Sequence, residues 1–193
     1  MATGRRMGPK GSDIWHSMLD AAEAILCEDG YGALTSRNIA ERIGVKQRLV
    51  YYYFRTMDEL IVETFRRLSE REIMRFKAAL DDKHPLQAVS NVIIDTTDTR
   101  LVSEFMALAN RIEPLRIEVK NYIEETRKLE VEALEAAMKS SGAEKGSIAP
   151  VAAVIIASGT LLAIHREAEL GITEGHDEVR KVIADFIAKL DKS

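Results

Sequence analysis

The chain has one cysteine in 193 residues, Cys27, so no internal disulfide forms and no thiolate metal site can be built from a single copy. Cys27 follows Leu26 in an apolar helical pattern, the usual setting of a buried structural thiol. Histidine is sparse as well: His16, His84, His165 and His176 are far apart and make no ligand spacing. The sequence has no GxGxxG, HExxH or GxSxG. Asp95 with Asp98, and Glu124 with Glu125, read as solvated helix faces rather than acid pairs. Neither an enzyme nor a cofactor is expected.

Long apolar runs are missing too. The least polar stretch, Ile148 to Ile164, is 17 residues broken by Pro150, Ser158, Gly159 and Thr160. A membrane span needs about 20, so this reads as a core helix. The N-terminus, MATGRRMGPKGSD, is basic but has no apolar core of the kind a secretory signal carries. No membrane partner and a cytoplasmic location are expected. The 46% hydrophobic and 30% charged composition is that of an ordinary folded protein of one or two domains. A net charge of -4 does not mark a nucleic-acid binder, but the charge is unevenly distributed. Residues 1–56 hold eight Lys or Arg against six Asp or Glu, an excess of +2 that leaves -6 for residues 57–193.

What is present is a helical hairpin between Thr35 and Leu60. Ile39, Ala40 and Ile43 share one face of a 3.6-residue period, with Thr35 or Ser36 as N-cap. Gly44 follows where a helix C-terminus favours a left-handed backbone, and Val45 can drop into the same small core. A second helix starts near Lys46, with Val50 and Phe54 inward and Lys46, Gln47, Arg48, Tyr51 and Tyr52 outward. Cations and phenols hold phosphates, while Arg and Gln can bond base edges, so this face suits a DNA major groove.

The string T-x-x-x-I-A-x-x-x-G-V, then V-Y-Y-Y-F-x-x-x-x-E-L, read from Thr35 to Leu60, resembles the DNA-binding domain of TetR-type transcriptional regulators. MLDAAEAILCEDGYGALT, Met18 to Thr35, is similar to that family's first helix and its Gly-Tyr exit turn. The resemblance covers the first third of the chain. It implies an all-α protein: a three-helix helix-turn-helix domain over residues 13–56 after a flexible basic arm, 1–12, then a larger ligand-binding and dimerisation domain, 57–193. It also implies double-stranded operator DNA as partner, with Thr35, Ser36, Arg37, Lys46, Gln47, Arg48, Tyr51, Tyr52 and Arg55 as the DNA-binding set. This chain departs from the family pattern in three places. Lys46 stands where Ser or Thr usually caps the recognition helix, Arg48 and Leu49 replace smaller or polar residues, and Met57 replaces a phosphate-binding Lys. Phosphate affinity then leans on Arg55, Tyr51 and an arm containing Arg5, Arg6 and Lys10.

Along the chain, Asp13 is the expected cap of a first helix with Ile14, Met18, Ala22, Ile25 and Leu26 inward. A long helix over Asp58 to Leu80 links the two halves. Further helices are expected over 86–97, 101–109, 114–138, 148–169 and 177–190. The penultimate helix is apolar nearly all round and must be covered on every side. The last two helices are therefore expected to pair with their copies in a two-fold homodimer. An apolar pocket for a hydrophobic or aromatic effector is expected within residues 58–166. Phe65, Met74, Phe105, Met106, Ala109 and Tyr122 would shape it, and Asn110, Thr160 and His165 would orient the ligand. Two functions follow: a ligand-responsive DNA-binding repressor, or a helical dimer that binds a small molecule or protein with weakened operator reading.

Overall fold

The computed structural model describes residues 9–95, 99–142 and 148–190. Among these residues there are helices and no strands: α1 Asp13–Glu28, α2 Ser36–Arg42, α3 Gln47–Tyr53, α4 Met57–Leu80, α5 Pro85–Asp95, α6 Thr99–Ala109, α7 Glu113–Ser140, α8 Pro150–Glu169 and α9 His176–Leu190. A short 3-10 turn, Tyr31–Ala33, joins α1 to α2. The described residues fall into two compact units. One draws on Met1–Ser69 and Arg100–Lys120, the other on Glu70–Thr99 and Asn121–Ser193. The first unit thus extends past residue 56, because the first half of α4, α6 and the start of α7 share a core with the hairpin. α4 and α7 each belong partly to both units.

In the first unit, Met18, Leu19, Leu26, Ile39, Val50, Phe54, Leu60, Ile61, Phe105 and Leu115 are almost completely buried. Two expectations for α1 are corrected. Its N-cap is Ser12, whose Oγ accepts from Trp15 N, and Asp13 is the first helical residue, where its charge suits the helix dipole. Ile14 is 40% exposed, and Trp15 turns inward in its place to stack on Phe54 with ring centroids 6.2 Å apart. A partner from distant sequence decides that phase. Arg67 on α4 clamps α1 through Asp20 at 2.7 Å, Glu23 at 3.2 Å and the His16 carbonyl at 3.1 Å.

In the second unit Phe76, Leu86, Val89, Leu129, Ala133, Leu134, Val154, Ile187 and Leu190 form one apolar cluster drawn from α4, α5, α7, α8 and α9. α8 is long and apolar enough to cross a membrane by composition, yet only 17% of its most apolar window is buried within the chain. Val151, Ile155, Ile156 and Leu162 on α8, with Val182 and Phe186 on α9, stand between 43% and 69% exposed. One copy of the chain leaves this face uncovered.

Candidate nucleic-acid interface and effector cavity

The hairpin is set by short-range chemistry. Thr35 Oγ1 accepts from Asn38 N at 3.1 Å and caps α2, while Asn38 Nδ2 donates to the Ala33 carbonyl at 2.7 Å and fixes where the helix starts. At the far end Gly44 adopts φ +71°, a backbone that L side chains resist, and Val45 N returns to the Ala40 carbonyl at 2.9 Å. α3 begins at Gln47 with Lys46 as an N-cap that makes no side-chain capping bond. Its inward residues are Val50 and Tyr53, followed by Phe54. The Tyr53 hydroxyl accepts from Ser12 Oγ at 3.3 Å, which ties the end of α3 to the start of α1.

The nine expected DNA-facing residues separate by environment. Lys46, Gln47, Arg48, Tyr51, Tyr52 and Arg55 are exposed on or beside α3, as is Thr35 at the start of α2. Arg37 is also exposed, but its Nε donates to Glu41 at 2.8 Å. Such exposed pairs are weak in water and open readily for a phosphate. Ser36 is different: it is 4% exposed. Its Oγ accepts the Gln47 amide at 2.8 Å and donates to the Tyr51 hydroxyl at 3.1 Å. Ser36 therefore orients two outward side chains from within. Of the arm residues, Lys10 is engaged by Glu63 at 2.7 Å and lies over the Trp15 ring, while Arg5 and Arg6 lie outside the described residues.

The nine expected ligand-binding residues are dispersed. Phe65 and Phe105 are buried edge to face at 5.1 Å in the first unit, with Ala109 buried as well. Met106 and Asn110 point outward there, and Asn110 Nδ2 donates to the Met106 carbonyl at 3.3 Å. In the second unit Met74 is 64% exposed. Thr160 Oγ1 donates to the Ile156 carbonyl, and His165 Nδ1 lies 2.9 Å from the Leu161 carbonyl, so both spend polar capacity on their own helix. Burial pushes the Tyr122 phenol up to about 12, with the charges of Glu72 and Glu130 adding to the rise.

The second unit instead holds a cavity of about 70 Å³ between α5, α7, α8 and α9. Its wall is apolar apart from Ser90, Glu130 and Ser158, and Leu134, Leu161 and Phe186 typify the rest. Glu130 accepts the Ser158 hydroxyl at 3.0 Å, and burial raises its carboxyl to about 6 against the opposing pull of that hydrogen bond and of Arg127. None of the nine residues lines this cavity. Its sequence signal was a carboxylate in phase with an apolar stripe. Glu130 lies seven residues after Ile123 and four before Leu134. Among the described residues no three His, Cys, Asp or Glu side chains gather as a metal site.

Residues 18–64 match the family model of bacterial regulatory proteins, tetR family. Solved structures share the fold across most of the chain. A TetR transcription regulator from Haloarcula marismortui ATCC 43049 has a TM-score of 0.75 at 18% identity, covering 91% of this chain and 97% of its own. The fatty acid degradation regulator FadR from Bacillus halodurans has a TM-score of 0.68 at 17% identity, covering 96% and 98%. A candidate transcriptional regulator from Saccharomonospora viridis in complex with choline has a TM-score of 0.77 at 13% identity, covering 90% and 95%. No curated protein matches the chain in sequence.

Proposed function

We propose that this chain, whose N-terminal domain is that of the tetR family of bacterial regulatory proteins, is a cytoplasmic repressor that binds a palindromic operator as a homodimer and is released by a small effector. The observation that carries this reading is the α3 surface. Lys46, Gln47 and Arg48 project from its N-terminal end, and Tyr51, Tyr52 and Arg55 flank them, on a hairpin whose inner face is closed by Ile39, Val50 and Phe54. Cations and phenols would hold phosphates and set the register, while Arg48 and Gln47 would reach base edges.

The dimer is assigned to α8 and α9. Their uncovered residues form an apolar face, and Gly159 in its midst leaves open space for close approach by another helix. Two reading heads on a two-fold axis fit half-sites about one helical turn apart, roughly 34 Å, or a multiple of it. α4 is the proposed transmission element, since it runs unbroken from Met57 to Leu80 and serves both units. An effector that favours the arrangement unable to span the operator would weaken DNA binding by the factor by which DNA weakens the effector. The choline bound to one structural neighbour supports small organic effectors for this fold.

The test is selection of fragments from random DNA by the purified full chain. Enrichment of an inverted repeat is expected. Recovery of no motif at low salt would favour a helical binding protein that does not read an operator.

A further inference from the structure

The second unit treats two of its inward-facing carboxylates differently, one buried and one half-buried. Glu72 is 5% exposed and is met by Arg75 at 3.2 Å and Arg71 at 3.8 Å. Glu130, on the wall of the apolar cavity, receives one hydroxyl, that of Ser158. Among the described residues no Lys, Arg or His nitrogen lies within ion-pairing distance of it. A half-buried carboxylate with no ion-pair partner gives up part of its hydration and gains no salt bridge in return. The fold sets two guanidiniums against Glu72 and none in contact with Glu130, which Arg127 reaches only through its field, and the space beside Glu130 leaves room for a ligand to bring a cation into contact.

We propose that this cavity is a receptor for a compact organic ammonium ion, a protonated primary or secondary amine on an apolar body, with Glu130 as its counter-ion. An ammonium group carries several donors and no acceptor. Glu130 takes one donor, and the oxygens of Ser158 and Ser90 can accept others, since all three residues line the same space. Leu134, Val154, Leu161 and Ile187 take the apolar body. Phe186 offers an aromatic face to a cation. The volume of about 70 Å³ is small beside the ~300–1,000 Å³ of drug-sized sites and the ~150 Å³ that holds a benzene ring, which selects short alkyl amines. Carboxylates and phosphates are rejected because they would set like charges together in a low dielectric.

One lining residue connects the cavity to the proposed assembly. Phe186 lines the cavity and is also 49% exposed on the α9 face assigned above to the second copy. An amine seated on Glu130 bears on the residue at that face, so its effect would reach the dimer. This last step rests on the reading of the chain as a dimeric regulator, whereas amine binding does not.

The experiment titrates the full chain, without DNA, with three shape-matched probes at pH 7.5: propylamine, propanol and propionate. Calorimetry and thermal shift are the readouts. Propylamine is expected to bind saturably and at least about tenfold more tightly than propanol, with propionate weakest. Glu130→Gln is expected to remove the preference for amine over alcohol. Equal affinity for amine and alcohol in the parent protein, or an amine preference that survives in Glu130→Gln, overturns the proposal. The parent comparison stands whether or not the variant folds, and Ser158→Ala, expected to weaken both probes with the amine still ahead, gives a second check. A chain that enriches an inverted repeat but shows no amine preference refutes this inference alone. The converse result refutes operator reading alone.

Discussion

The side-chain amide of Gln47 donates to Ser36 Oγ at 2.8 Å, joining the first turn of α3 to the first turn of α2 through a buried hydroxyl. The same oxygen donates to the Tyr51 phenol one turn further along α3. Two of the outward residues proposed to meet DNA are thus oriented by one residue that DNA would barely touch. Ser36→Ala is expected to cost about 0.5–1.5 kcal/mol of stability for each hydrogen bond removed. It should also weaken operator binding more than binding to scrambled DNA, because a loosened Gln47 spends part of its binding energy on ordering. Unchanged operator affinity with unchanged melting temperature would show that the network orients nothing.

Arg48 is exposed, and no carboxylate lies against it among the described residues. Arg48→Ala is expected to cost about 1–3 kcal/mol on the selected operator and to relax preference at particular positions. Arg55→Ala should instead weaken all sequences alike and reduce the salt slope by about one. Competition binding against single-base operator variants at two salt concentrations separates the two behaviours. A flat loss for Arg48→Ala across all variants would reassign it to phosphate.

The uncovered face of α8 and α9 predicts that a charge placed there blocks dimer formation without unfolding the chain. Ile155 is 46% exposed and Val182 is 69% exposed, and neither lines the cavity, so Ile155→Glu with Val182→Glu puts two carboxylates where apolar contact is expected and disturbs little inside one copy. Sedimentation should report a monomer with unchanged helical circular dichroism. A persistent dimer would move the interface elsewhere.

Glu130 makes a prediction about stability and pH. Its carboxyl sits at about 6 in the fold, above the ~4.3 of an unfolded chain. The folded state therefore keeps this proton longer, and stability falls as pH rises from near 4 to near 6. The cost of the ionised form is fully present above that window, at about 1–2 kcal/mol. Glu130→Gln should then melt higher than the parent at pH 7.5 and together with it at pH 4. A stabilisation of equal size at both pH values would trace the effect to packing rather than ionisation. The variant predicted to lose amine preference is thus the one predicted to be more stable.

The hairpin was legible in the sequence because its determinants are local. Thr35 as cap, Gly44 at positive φ, Val50 and Phe54 four apart and the missing cap at Lys46 each depend on neighbours within a few residues. The long fourth helix and the apolar character of α8 were readable for the same reason. Less legible were choices between adjacent residues of similar character. Ser12 rather than Asp13 caps α1, and Trp15 rather than Ile14 turns inward. The first depends on backbone placement before the helix, the second on Phe54, 39 residues away in the chain.

Helix positions, the Thr35 cap of α2 and the outward basic face of α3 followed from the sequence by itself, since periodicity and capping act over one or two turns of chain. The tertiary structure decided which polar residues turn inward. Ser36 and Ser158 have the same side chain as any surface serine, and Glu130 resembles the solvated acids around it on α7. Their roles arise where separate helices meet: Ser36 between Gln47 and Tyr51, and Glu130 against Ser158 beside the cavity. A polar group's burial and partners depend on what packs over it, and that covering comes from segments far away in the chain.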